Sequence, residues 1–321
     1  MKFLTVEAGK AVPVRGQGLP ETAHVFDQDS IDAVNAALAA ERPLLVRGEP
    51  GTGKSQLARA AASSLGRLFL SSVIDARTEA RDLLWSFDAV ARLAQAQMQQ
   101  ALGATSREDV EANLDEKKFV KPGPLWWAFS WQKAKDQAKL SQAPVPIPPP
   151  GWQPEDGAVV LIDEIDKADS AVPNGLLECL GQLGFAGPGG EWVGCTGQAR
   201  PLILITTNEE RALPDAFLRR CLVLQLAWPK DEDKLVSELV LRGEAHFPKL
   251  SPEVLKSAAR MLAADRQKVA QRRLYAPGGA EYLDLLRALQ ELAEHEQAEP
   301  EKLLQRIGRF VLDKHPADPE W

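Results

Sequence analysis

Cysteine is scarce: Cys179, Cys195 and Cys221 are the whole complement. Their number is odd and their spacing wide, so neither a disulfide framework nor a zinc pattern follows. A reducing compartment fits such usage. The four histidines, His24, His246, His295 and His315, show no metal-ligand spacing and are expected on surfaces or in loops. No apolar run approaches the ~18 residues of a membrane helix. Met1 to Lys10 lack the apolar stretch of a secretory leader. No strongly basic tract occurs and the formal net charge is −7, which argues against a broad nucleic-acid footprint. The expectation is a soluble, cytoplasmic protein.

What is present suits a folded chain with a real core: 321 residues, 45% hydrophobic and 26% charged. At roughly 100–200 residues per domain, two domains are expected. A helix capped by Ser30 precedes a short buried strand at Leu44-Leu45-Val46. An alanine-rich helix follows over Gln56 to Leu65, then a strand at Leu68-Phe69-Leu70. Residues 82–141 read as mostly helical; the proline-rich stretch between Ala143 and Pro154, containing Pro148-Pro149-Pro150, reads as an extended spacer, with a proline-rich ligand for a partner domain as the alternative. Ala158-Val159-Val160-Leu161-Ile162 reads as a central parallel strand buried on both faces. A helix over Val172 to Leu183, a glycine-rich hairpin at 184–197 and strands at Leu202 to Ile205 and Leu222 to Leu226 complete the first domain, 1–228. From Pro229 the pattern turns helical, and 229–321 is expected to be a separate helical domain.

Two segments carry chemistry. Gly48-Glu49-Pro50-Gly51-Thr52-Gly53-Lys54-Ser55 satisfies G-x-x-x-x-G-K-S, with an apolar strand before it and a helix after it. Glycines let the backbone wrap and aim N–H groups at phosphate oxygens. The helix N-terminus adds partial positive charge. Lys54 would meet the β- and γ-phosphates and the Ser55 hydroxyl a magnesium ion; Gln56 adjoins the loop as a further candidate contact. In the second segment, Val159 to Ile162 deliver Asp163 and Glu164 to a strand's C-terminal edge, where ligands of open α/β sheets bind. Asp163 would hold magnesium and Glu164 would polarise the attacking water. The bland alternative is an acidic turn with Asp166, Lys167 and Asp169 as solvated neighbours.

With these residues in place the chain resembles the AAA+ ATPases. Asp163-Glu164 and Thr206-Thr207-Asn208 at successive strand ends are similar to that superfamily's pattern. The resemblance implies a water-positioning sensor in Asn208. It also implies an arginine finger for the neighbouring subunit in Leu213-Pro214-Asp215-Ala216-Phe217-Leu218-Arg219-Arg220-Cys221, with Arg220 the best match and Arg219 the alternate. Phe119-Val120-Lys121-Pro122-Gly123-Pro124-Leu125 and Asp163-Glu164-Ile165-Asp166-Lys167-Ala168 resemble the MoxR-like branch. That likeness implies an α/β P-loop core with a helical lid, the base of ATP near Val25-Phe26, magnesium as cofactor, and a homo-oligomeric ring of six subunits. It further implies remodelling of a partner protein, with a von Willebrand A-type protein the candidate as in the branch, and leaves ATP or GTP open.

Two departures stand out. Ala280 lies where the branch has its lid arginine, with Arg272 or Arg273 as candidate substitutes. A helical insertion at about 88–156 is longer than the branch's usual segment. Its Trp126, Trp127 and Trp131 read as packing or, in the sharper alternative, as a partner contact, and Trp127 and Trp131 are expected on one helical face. Phe185 and Trp192 on the hairpin are read either as packing or as pore-facing. A slow ATP-binding switch and a nucleic-acid motor remain as alternative functions.

Overall fold

Apolar runs become strands and alanine- and leucine-rich stretches become helices, because each pattern hides its apolar side only in that geometry. The computed structural model describes residues 2–14, 22–101, 107–195, 199–272 and 276–312. Strands β1 (Ala11–Val14) and β2 (Thr22–Val25) pair antiparallel, with Ala11 opposite Val25. Helix α1 (Gln28–Ala40) is capped by Asp27, whose carboxylate accepts the Ser30 N–H at 2.7 Å. Ser30 itself lies inside the helix and is buried, so the capping role expected of it belongs to Asp27. Strand β3 (Leu44–Gly48) leads through the glycine loop into α2 (Lys54–Leu65), and β4 (Leu68–Val73) follows.

Residues 85–141 form β5 (Trp85–Phe87), α3 (Ala89–Ala101), α4 (Arg107–Asn113), β6 (Val120–Pro122), α5 (Pro124–Phe129) and α6 (Trp131–Ser141). Next come β7 (Ala158–Asp163), α7 (Ala171–Gln182), the hairpin of β8 (Gly184–Ala186) and β9 (Trp192–Gly194), β10 (Leu202–Thr207), α8 (Asp215–Leu218) and β11 (Leu222–Leu226). Four helices close the described chain: α9 (Glu232–His246), α10 (Pro252–Arg272), α11 (Gly279–Glu296) and α12 (Pro300–Leu312).

The chain divides into two compact units. One comprises Met1–Leu4, Ala33–Val46 and Ala61–Val223; the other comprises Thr5–Asp32, Arg47–Ala60 and Leu224–Trp321. The five-stranded sheet has the order β11-β3-β10-β7-β4. β7 lies between β10 and β4 and is parallel to both, with Leu202 opposite Val159 and Leu68 opposite Ala158. Ala158 to Ile162 and all of β10 are buried, as a strand covered on both faces requires.

In the first unit the aromatic cluster is core. Trp126, Trp127, Phe129 and Trp131 are all buried. Phe185 of the hairpin packs on Trp126 at 5.6 Å and on Phe129 at 6.5 Å between ring centroids. Ser130 interrupts the helix between α5 and α6. Trp127 and Trp131 therefore sit on two helices rather than on one helical face, yet their rings still meet at 4.9 Å. Trp192 is half exposed. Burial pushes the Cys179 thiol up to about 12 and the Cys195 thiol up to about 11, so neither is a ready thiolate.

In the second unit α9 to α12 bury one leucine-rich core around the wholly buried Tyr282. The tyrosine hydroxyl donates to the Leu255 carbonyl at 3.1 Å, which satisfies its one polar atom. Gly243 sits mid-helix against that ring: a Cβ there would stand 2.7 Å from the hydroxyl. Strand β2 packs on α9.

Candidate functional site

The loop at 48–55 is wrapped by its glycines. Gly48 has φ 146° and approaches the Leu226 backbone so closely that a Cβ would lie 2.1 Å from the carbonyl oxygen. Gly51 has φ 76° and a Cβ there would meet Gly278 at 3.3 Å. Only glycine meets both demands without strain. Thr52 is buried and its hydroxyl donates to the Glu49 carbonyl at 2.9 Å. Lys54 is also buried, and its ammonium donates to the Gly48 carbonyl at 2.7 Å and the Glu49 carbonyl at 2.9 Å. Lys54 and Ser55 open α2, so the loop runs straight into a helix N-terminus. Pro50 is exposed at the bend. This cradle of glycines, one ammonium and one hydroxyl fits a polyphosphate, and the Ser55 hydroxyl is the hard oxygen ligand that magnesium prefers.

Around the loop, within the same unit, lie residues the sequence expectation placed and some it missed. Gln56 donates to the Thr22 hydroxyl at 2.8 Å, tying α2 to β2. Val25 is half-buried, whereas Phe26 is wholly buried with its ring edge-on to His24 at 4.6 Å. His24 is thus a strand residue in a packed site, not a surface one. Burial, then the Arg242 charge, lowers its pKa to about 4. The first turn of α11 meets the loop through backbone: the Gly279 N–H donates to the Gly51 carbonyl at 3.2 Å. Ala280 is exposed beside it. The Arg272 side chain and Arg273, named as substitutes for a lid arginine, lie outside the described residues.

The acidic strand end belongs to the other unit. Asp163 ends β7, and Glu164 follows in the left-handed conformation, φ 59° and ψ 49°. Such a conformation costs a non-glycine residue of order ~1–3 kcal/mol and persists only where neighbours enforce it. Thr206 is one such neighbour. It is fully buried, donates to Asp163 Oδ1 at 2.5 Å, and accepts the Glu164 N–H at 2.9 Å. Asn208 Nδ2 donates to Glu164 Oε1 at 3.2 Å.

Asp166 is the second constraint. It is only 2% exposed, and its Oδ2 accepts the N–H groups of Asn208 at 3.2 Å and Glu210 at 2.9 Å. The reading of Asp166 as a solvated neighbour is therefore wrong: the carboxylate is turned inward to hold the Asn208 turn. Lys167 does stay at the surface, where its ammonium binds Glu210 at 2.6 Å, and that carboxylate raises the lysine pKa. Thr206 could have been suspected from a hydroxyl in an otherwise apolar strand. Asp166 carried no such signal.

Arg219 and Arg220 follow α8 and are exposed. Arg42, which no sequence pattern marks, holds their backbone. Its Nε donates to the Arg220 carbonyl at 3.1 Å, and its Nη2 donates to the Arg219 and Cys221 carbonyls.

A family model for the AAA domain (dynein-related subfamily) matches residues 43–221, more than half of the chain. The chain belongs to this family. The match spans the glycine loop, the acidic strand end, Asn208 and both candidate finger arginines. It accords with the observed fold, a P-loop α/β sheet followed by a helical region. AAA proteins hydrolyse ATP in general, and that activity enters here at the level of the family. No curated protein matches the chain. No described helix of this AAA protein is long and apolar enough to cross a membrane. Among the described residues no group of three or more His, Cys, Asp or Glu side chains could hold a metal ion.

Proposed function

We propose that this AAA protein is a magnesium-dependent ATPase of the MoxR-like kind, which forms a hexameric ring and remodels or chaperones a partner protein. The observation that carries the catalytic half is the Asn208 amide on the Glu164 carboxylate at 3.2 Å. A carboxylate fixed by an amide, on a backbone N–H held by Thr206, is kept in one orientation, as a group that must polarise a water has to be. Lys54 and the loop backbone would hold the phosphates, with Ser55 and Asp163 as magnesium ligands. Bound magnesium would neutralise charge on the transferring phosphate. The base would sit near Val25, with Phe26 behind it.

Arg220, or Arg219, would reach a neighbouring subunit's nucleotide. Exposure of both side chains and the grip of Arg42 on their backbone suit that task. The domains would be 1–228 and 229–321, the location cytoplasmic, and the client a separate protein, with a von Willebrand A-type protein the first to try. Steady-state ATPase assays over a range of protein concentrations test this. Wild type should rise in specific activity with concentration, Arg220→Ala should stay low throughout, and Glu164→Gln should bind ATP without turning it over. A rate independent of concentration and of Arg220 would remove the ring.

A second reading, a slow ATP-binding switch, is favoured by one observation. The first turn of α11 meets the loop through Gly278 and Gly279, and Ala280 brings no charge. Turnover that stays slow at every protein concentration would select it.

A further inference from the structure

Among the described residues, Lys54 and Arg242 both touch carbonyls of the phosphate loop. Lys54 is the expected one. The other is Arg242 of α9, which belongs to none of the motifs read in the sequence. Its Nη1 donates to the Thr52 carbonyl at 3.2 Å and stands 3.8 Å from where a Cβ on Gly53 would be. Its guanidinium carbon lies 4.5 Å from the ring centroid of Trp228, and its Nη2 pairs with Glu238 at 2.6 Å. The side chain is 25% exposed, so solvent still reaches it. Arg266 flanks the same indole at 6.0 Å, but its two arms are taken by Glu49 at 2.7 Å and the Pro277 carbonyl at 2.7 Å.

Arg242 therefore differs from Arg266. Its bond to the loop goes to a neutral carbonyl, beside a cradle that the glycines shape for an anion. A hydrogen bond between two charged partners is about twice as strong as one to a neutral acceptor. The guanidinium fork also suits phosphate oxygens better than a single carbonyl. Stacking on Trp228 keeps the group at the loop instead of in solvent.

We propose that Arg242 is a second phosphate ligand of this loop, exchanging the Thr52 carbonyl for an oxygen of a bound nucleoside polyphosphate. This rests on the reading of 48–55 as a nucleotide site. It gives the helical bundle a charged contact with the nucleotide that Ala280 cannot supply. Glu238 neutralises the guanidinium while no phosphate is there.

Calorimetric titration with ADP, a non-hydrolysable ATP analogue, inorganic diphosphate and adenosine tests it. Arg242→Gln is expected to weaken ADP and the analogue by roughly 10–100-fold, the loss of one charge-assisted contact. Adenosine binding should be unchanged and Arg242→Lys should recover part of the loss. Diphosphate binding that weakens alongside ADP places the contact on the phosphates themselves. Equal losses for ADP and adenosine would mean that Arg242 only supports the fold, and would overturn the proposal. So would wild-type ADP affinity in Arg242→Gln beside a Lys54→Ala variant that no longer binds. Unchanged ADP binding in Lys54→Ala would instead remove the nucleotide site itself. Should Arg242→Gln fail to fold, Glu238→Gln reads the same contact by freeing the guanidinium. ADP binding several-fold tighter is then expected, and unchanged or weaker binding overturns the proposal.

Discussion

Thr206→Val replaces a hydroxyl by a methyl of nearly the same shape at a position with no exposed surface. Two bonds disappear. The hydroxyl no longer donates to the Asp163 carboxylate, a charge-assisted contact worth ~1.5–3 kcal/mol. The Glu164 N–H loses its acceptor, at a cost of about 1–2 kcal/mol for a donor that is only partly buried. The new methyl returns about 0.8 kcal/mol of apolar burial. The net loss is about 2–4 kcal/mol, some of it realised as release of Glu164 from its left-handed backbone. Urea unfolding should show a lower midpoint with little change in slope. Steady-state ATPase should show turnover reduced about tenfold or more with the KM for ATP little altered, since 1.36 kcal/mol in the barrier is tenfold in rate. Thr206→Ser keeps both bonds and should retain turnover while losing about 1 kcal/mol of stability. If Thr206→Val unfolds and turns over like wild type, the hydroxyl is not what holds Glu164, and the account of this strand end fails.

Asp166→Ala should free the Asn208 turn, lower turnover about tenfold and leave ADP affinity unchanged; altered ADP binding with normal turnover would contradict it. Gly243→Ala should lower stability by about 1–3 kcal/mol, seen by urea unfolding, because the methyl drives into Tyr282; an unaltered midpoint would show that α9 can shift. His24 is neutral in the fold and its pKa is held at about 4, chiefly by burial, so the unfolded chain takes up the proton first as pH falls. Stability from this site should be intact above pH 6.5 and fall by up to about 3 kcal/mol towards pH 4. The decline should be shallower in His24→Gln than in wild type, and parallel curves would refute it.

Much of the site was legible because its chemistry is local in the chain. The loop's glycines, Lys54 and Ser55 are consecutive, and a strand followed by a helix is a short-range pattern. Asp163, Glu164 and Asn208 stand at ends of apolar runs, which are visible as runs. The misreadings have a common origin. Ser30 has the residue type of a cap, yet Asp27 stands one turn earlier with the stronger acceptor. Trp127 and Trp131 looked like one helical face because Ser130 gives no sign in sequence that it separates two helices. Asp166 looked solvated because nothing near it in sequence can satisfy a buried carboxylate; its partners are the backbone N–H groups of 208 and 210.

The sequence by itself determined that this chain has a phosphate loop, an acidic strand end and a polar residue on the next strand, since each is written in adjacent residues. It could not determine what holds them. Thr206 against Asp163 and Glu164, Asp166 against the Asn208 turn, Arg42 against the Arg219 and Arg220 backbone, and Arg242 at Thr52 join residues 42 to 190 positions apart. Which distant donor meets which acceptor depends on strand order and helix packing, and those are decided by burial of the whole core, not by any local pattern.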